Sequence, residues 1–88
     1  MTLPHIIYSD HAVAEMRKAE PRIGRADVRQ VLAVAHRTPA TGQRATGEVR
    51  WDKRAVVPRH ELVLVVIYLQ RPREVEIVTV YWEGRYDE

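Results

Sequence analysis

The chain predicts an α+β domain in which two helices are followed by three strands. Three observations carry that reading. Apolar residues recur at helical spacing between residues 10 and 35, they alternate or run on without a break after residue 48, and prolines or glycines stand at the joins. The expected order is (β)ααβββ, with both N-terminal helices packed on one face of a small antiparallel sheet of three to four strands. At 88 residues, positions 1–88 make a single domain with no room for a second core.

Ile6, Ile7 and Tyr8 predict a short opening strand. Ser9 or Asp10 then offers an N-cap, its oxygen accepting from a free backbone amide of the first turn. Ala12, Val13 and Met16 form one apolar stripe, and the helix is expected to reach about Ala19. Pro21 ends it, because the residue before a proline avoids helical angles. Gly24 caps a second helix, with Asp27 at the third helical position, where its charge suits the helix dipole. Ile23 and Val28 have the spacing of a hydrophobic staple. Val28, Val31, Leu32 and Ala35 continue the i, i+3, i+4, i+7 pattern, and Pro39 is expected to stop the helix. Thr38 to Gly47 holds two glycines, one proline and three threonines, so it reads as a loop.

Glu48 to Asp52 alternates, with Val49 and Trp51 on one side and Arg50 on the other. Leu62 to Leu69 is apolar on both faces, as a covered central strand would be. Gln70 to Arg73 makes a tight turn, and Val75 to Trp82 pairs back as the second arm of a hairpin. Two helices cover only one face of such a sheet. The other face is then expected to be covered by loops, a second subunit, a partner or a ligand.

Composition narrows the class. An apolar fraction of 45% and a charged fraction of 30% belong to a folded domain rather than a disordered tail. The chain has no cysteine, which excludes disulfides and thiolate metal sites and fits a reducing cytoplasm. Residues 1–5 lack the pattern of a signal peptide, and the run from Leu62 to Leu69 is too short to cross a bilayer as a helix. A cytoplasmic location without membrane contact is therefore expected. The net charge of +2 is mild, but Arg44, Arg50, Lys53, Arg54 and Arg59 fall close together, opposed only by Glu48 and Asp52. Such a strip can meet phosphates. It can equally be a solvated strand edge that blocks aggregation.

Ser9-Asp10-His11-Ala12 opens the first helix, Met16 follows, Asp27, Val28, Val31 and Leu32 mark the second, and Val78-Thr79-Val80-Tyr81 lies in the last strand. On these residues the chain resembles a family of small bacterial domains near the RelE/BrnT-type toxins of toxin–antitoxin pairs. The resemblance runs from Tyr8 to about Arg85. It departs at Glu15, where relatives carry an arginine before the methionine, and at residues 19–22, which replace an Arg-Gly pair. It implies a RelE/BrnT-like fold, RNA as partner and an antitoxin-like protein over the open sheet face. The implied activity is metal-independent endoribonuclease cleavage by 2′-hydroxyl attack.

Such chemistry needs a base for the 2′-hydroxyl and a cation for the phosphorane. His11 at a helix start is the candidate base, with Glu15 one turn on to orient it; the plain alternative is a histidine that only fixes the helix start. Arg50 is the candidate cation, with Arg54 and Arg59 able to join it around a phosphate. Tyr81, beside Thr79 on one strand face, can donate a hydrogen bond or stack on a base, or be an ordinary half-buried sheet residue. Trp82 points the other way, toward core or interface. Arg85 can reach a backbone phosphate or merely solvate the tail. The four histidines, His5, His11, His36 and His60, show no metal-ligand spacing, so no metal and no cofactor are expected. A second reading keeps the fold without the chemistry. It is a protein-interaction module that self-associates as a homodimer, or binds a partner, through the open sheet face.

Overall fold

The computed structural model describes residues 5–40 and 48–83. The elements run β1 (His5–Tyr8), α1 (Asp10–Lys18), α2 (Arg25–Leu32), β2 (Thr38–Pro39), β3 (Arg50–Val57), β4 (Leu62–Gln70) and β5 (Glu74–Trp82). The class is α+β. The sheet has five strands in the order β1-β5-β4-β3-β2, more than the three to four expected, and it is mixed rather than antiparallel. β3, β4 and β5 form the expected antiparallel meander. β1 lies parallel to β5, with Ile6 opposite Val75 and Tyr8 opposite Ile77. The reason is connectivity: tight turns force antiparallel neighbours, but β1 leads into both helices and never makes a hairpin with its neighbour.

Ser9 is the N-cap of α1. Its Oγ accepts from the Ala12 amide at 3.1 Å and donates to the Val78 carbonyl at 3.1 Å. α1 ends at Lys18, with Ala19 already extended ahead of Pro21. α2 starts after Gly24, whose N–H donates to Asp27 Oδ2 at 2.9 Å. It stops at Leu32, short of the Ala35 that periodicity suggested, and long before Pro39. Lys53 Nζ donates to the freed Leu32 carbonyl at 2.7 Å and closes that end.

Thr38 and Pro39, expected in a loop, instead form the short edge strand β2 against Asp52 and Trp51. Proline is tolerated there because an edge strand can do without one N–H. β3 runs on to Val57, well past Asp52. Its added residues look unlike a strand because Lys53 and Arg54 are charged, but they alternate between the two faces.

β5 carries the one irregularity of register among the described strands. Ile67 pairs with Thr79 and Tyr68 with Ile77, leaving Val78 as a bulge. The bulge switches the alternation. Val75 and Ile77 before it, and Val80 and Trp82 after it, all join the core beneath the helices. Leu64, Val66 and Tyr68 of β4 meet them there with Ala12, Met16, Val28 and Val31 of the helices. Each such large apolar side chain contributes about 1.5–3 kcal/mol.

The opposite face, expected to be covered by loops, a second subunit, a partner or a ligand, is already largely buried within the single chain. Val65, Ile67 and Leu69 of β4 lie there, yet they are only 0%, 8% and 2% exposed within the single chain. Their cross-strand neighbours are Arg54 and Tyr81, Asp52 and Thr79, and Arg50 and Glu76. The central strand therefore does not by itself require a covering subunit. No helix among the described residues is long and apolar enough to cross a membrane.

Candidate functional site

The expected catalytic residues divide between two layers. His11 is exposed on α1, whose buried residues Ala12 and Met16 pack on the helix side of the sheet. Arg50 and Tyr81 alternate with the core residues Trp51 and Trp82, so they stand on the other side. The sheet separates His11 from both. No arrangement of these three around one phosphate is present.

The expected RNA-binding strip also disperses. Arg44 and Arg85 lie outside the described residues. Arg54 is held by Asp52, Nη2 to Oδ2 at 2.6 Å, and by Glu83. Arg59 turns to the helix side and grips Asp27, with Nε to Oδ1 at 3.2 Å and Nη2 to Oδ2 at 2.7 Å. Lys53 faces the helices. Arg50 stands on the side of the sheet away from the helices, with its Nε buried and unpartnered. Trp82 is buried, as its alternation required, and its Nε1 donates to the Pro21 carbonyl at 2.6 Å. His60 meets the Trp82 ring edge-on, 5.5 Å between centroids. No group of three or more metal-ligating side chains occurs among the described residues.

A different set of residues comes together on the helix side. A cleft of about 930 Å³ is lined by His5, Ile6, Tyr8, Arg25, Arg29, Leu32, Ala33, Lys53, Tyr68, Gln70 and Val75. Its volume lies within the roughly 300–1,000 Å³ of small-ligand sites. Sequence places the parts simply. Arg25 and Arg29 are one turn apart on α2 and share its exposed side. Tyr8 alternates with Ile7 on β1, which turns its ring toward the helices. Lys53 and Tyr68 come from the neighbouring strands β3 and β4.

The electrostatics of the cleft are one-sided. Among the described residues three cationic side chains line it and no carboxylate does. Arg25 lies over the Tyr8 ring with its Cζ 4.9 Å from the centroid, and Lys53 Nζ is 6.0 Å from the Tyr68 centroid. Burial pulls the Lys53 ammonium below its usual range, and the nearby Arg37 charge adds to that. Arg37 in turn stacks on Trp51 at 3.7 Å, so the positive surface continues past the end of α2. Burial pushes the Tyr8 phenol up, against the pull of Arg29 and Arg25. Its hydroxyl is therefore a neutral donor, and it is buried with no partner. A buried hydroxyl left so costs about 1–3 kcal/mol until something accepts from it.

Sequence reasoning did not assemble this set. Arg25 and Arg29 stand at i, i+4 spacing, but nothing in the sequence says that β1 enters beside β5 and brings Tyr8 to them. Compared with known families, characterised proteins and solved structures, the chain finds no match in any of the three.

Proposed function

We propose that this protein binds RNA as a small toxin-like domain of the RelE/BrnT kind, and that the strand lies across the helix side of the sheet. The observation that carries the reading is the cleft beside α2, where Arg25, Arg29 and Lys53 stand with two tyrosines and, among the described residues, no opposing carboxylate. Cations that no carboxylate neutralises attract a phosphate backbone. Arg37 on Trp51 extends the same surface. The strip on β3 supports RNA less well, since Arg54 and Arg59 are already neutralised.

Binding rather than cleavage is the activity these positions favour, because the sheet separates His11 from Arg50 and Tyr81. The test is fluorescence anisotropy on short single-stranded RNA over a range of salt. The double variant Arg25→Ala/Arg29→Ala should weaken binding and flatten the salt slope, by about 0.7 for each phosphate no longer neutralised. Unchanged affinity would move the site to another surface. The same RNA incubated in chelator should stay intact. Cleavage that falls about 10²–10⁴-fold in His11→Ala, with thermal stability unchanged, would instead establish the ribonuclease reading.

A second reading, the protein-interaction module, has one observation in its favour. Beyond the two-residue β2, no described strand pairs with the outer side of β3, and Val56 there is 57% exposed. A free edge of this kind can accept a partner strand. Failure of RNA binding together with capture of a peptide along residues 53–57 would favour it.

A further inference from the structure

The cleft holds more positive charge than one internal RNA phosphate would neutralise. It also holds a hydrogen-bond donor with nothing to bond. A diester in the middle of a strand brings one negative charge, whereas Arg25, Arg29 and Lys53 line the cleft with no carboxylate among its described lining residues. A phosphate monoester carries about −1.5 to −2 and presents three strong acceptor oxygens. We propose that the cleft binds the terminal phosphate monoester of a nucleotide, with Arg25 and Arg29 pairing its charge and the Tyr8 hydroxyl donating to one of its oxygens.

Several features fit that ligand. Arg25 lies over the Tyr8 ring with its Cζ 4.9 Å from the centroid, so the charge and the phenol belong to the same wall of the cleft. Lys53 uses one N–H on the Leu32 carbonyl, which leaves two of its three donors for the ligand. The cleft's volume of about 930 Å³ leaves room for a nucleoside next to the phosphate, with Gln70 and His5 among the lining residues. Elsewhere in the molecule the arginine clusters are closed. Arg71 is surrounded by Glu48, Glu74 and Glu76, Arg54 by Asp52 and Glu83, and Arg59 by Asp27. A cluster of unopposed cations and an unsatisfied buried hydroxyl coincide only here among the described residues.

The phosphate can come from the end of an RNA strand or from a free nucleotide, and the strand-end source rests on the RNA reading above. The experiment separates them. Anisotropy is measured with one RNA sequence bearing a 5′-phosphate, a 3′-phosphate or no terminal phosphate, and again in competition with adenosine and uridine 5′- and 3′-monophosphates. One phosphorylated end should bind at least tenfold tighter than the unphosphorylated strand. Tyr8→Phe, which removes only the hydroxyl and keeps the ring, should reduce that preference to less than threefold, with a melting temperature no lower than the parent's. Competition by a mononucleotide at strand concentrations identifies a free nucleotide as the ligand, and its absence identifies the strand end.

Equal affinity for all three RNAs, with no mononucleotide binding, overturns the inference and leaves RNA binding standing. Mononucleotide binding without any RNA binding keeps the phosphate site and overturns the RNA reading. A preference that survives intact in Tyr8→Phe overturns the assignment of its hydroxyl, and no binding of any probe overturns both proposals.

Discussion

Asp27 shows how much one side chain can tie together. It is the only buried charged residue among those described, 3% exposed, and it serves two partners on different elements. Its carboxylate accepts from the Gly24 amide at the start of α2 and from the Arg59 guanidinium on the turn after β3. Burial pushes the carboxyl up, but the hydrogen bonds from Arg59 and Gly24 and the charges of Arg59 and His60 outweigh it. The net effect holds it below the ordinary carboxylate range. A carboxylate depressed in the folded state contributes stability above its unfolded pKa and loses it as pH falls through the folded value. Asp27→Asn should therefore melt lower than the parent at pH 7, and the gap should close as pH drops below about 4. Melting curves from pH 7 to pH 3 check this, and a gap that does not narrow at all over that range would mean the carboxylate charge is not what matters. The pairing of Gly24 with Asp27 was legible from their spacing. Arg59 was not, because a partner 32 positions away leaves no local pattern, and its charge read equally well as a phosphate ligand.

At the scale of elements, turns and bulges decide which side chains share a face. Glu61, in the turn between β3 and β4, has φ of 54°, in the left-handed region that side chains with a Cβ avoid. Glu61→Gly should relieve about 1–2 kcal/mol of backbone cost and lose about 0.5–1 kcal/mol to the flexibility of glycine. The expected result is a melting temperature a few degrees higher, measured by calorimetry; a lower one would show that the Glu61 side chain holds the turn. The bulge at Val78 has a larger structural consequence. Without it Ile77 and Tyr81 would share a face, whereas with it Ile77 packs under the helices and Tyr81 stands on the far side. Ser9 secures that point, its hydroxyl donating to the bulged residue's carbonyl. The ends of α1, β4 and β5 were readable to within a residue or two from caps, prolines and apolar runs. The end of α2 and the length of β3 were not, because the Lys53–Leu32 hydrogen bond and the pairing with β4 fix them from outside the segment.

For the molecule as a whole, the sheet divides two surfaces of different character. One carries charge pairs over an already buried row of Val65, Ile67 and Leu69. The other carries the helices and the unbalanced cleft. Because the apolar row needs no further cover, the 88-residue chain in dilute buffer should scatter light as a single copy of 10.2 kDa. A concentration-dependent dimer would point instead to pairing along the outer side of β3, since Val56 is the large apolar residue most exposed among those described.

The sequence by itself determined the α+β class, the two helices with their caps, and the antiparallel meander, because these follow from apolar period, cap chemistry and turn residues within a few positions of one another. It also determined that Arg50 and Trp51, or Tyr81 and Trp82, part to opposite faces. Only the tertiary structure decided that β1 lies parallel to β5, that Tyr8 reaches Arg25 and Arg29, and that His11 is divided from Arg50 and Tyr81 by the sheet. Those outcomes depend on where distant strands meet and on one bulge. A single residue of register inverts a strand's faces without changing its composition.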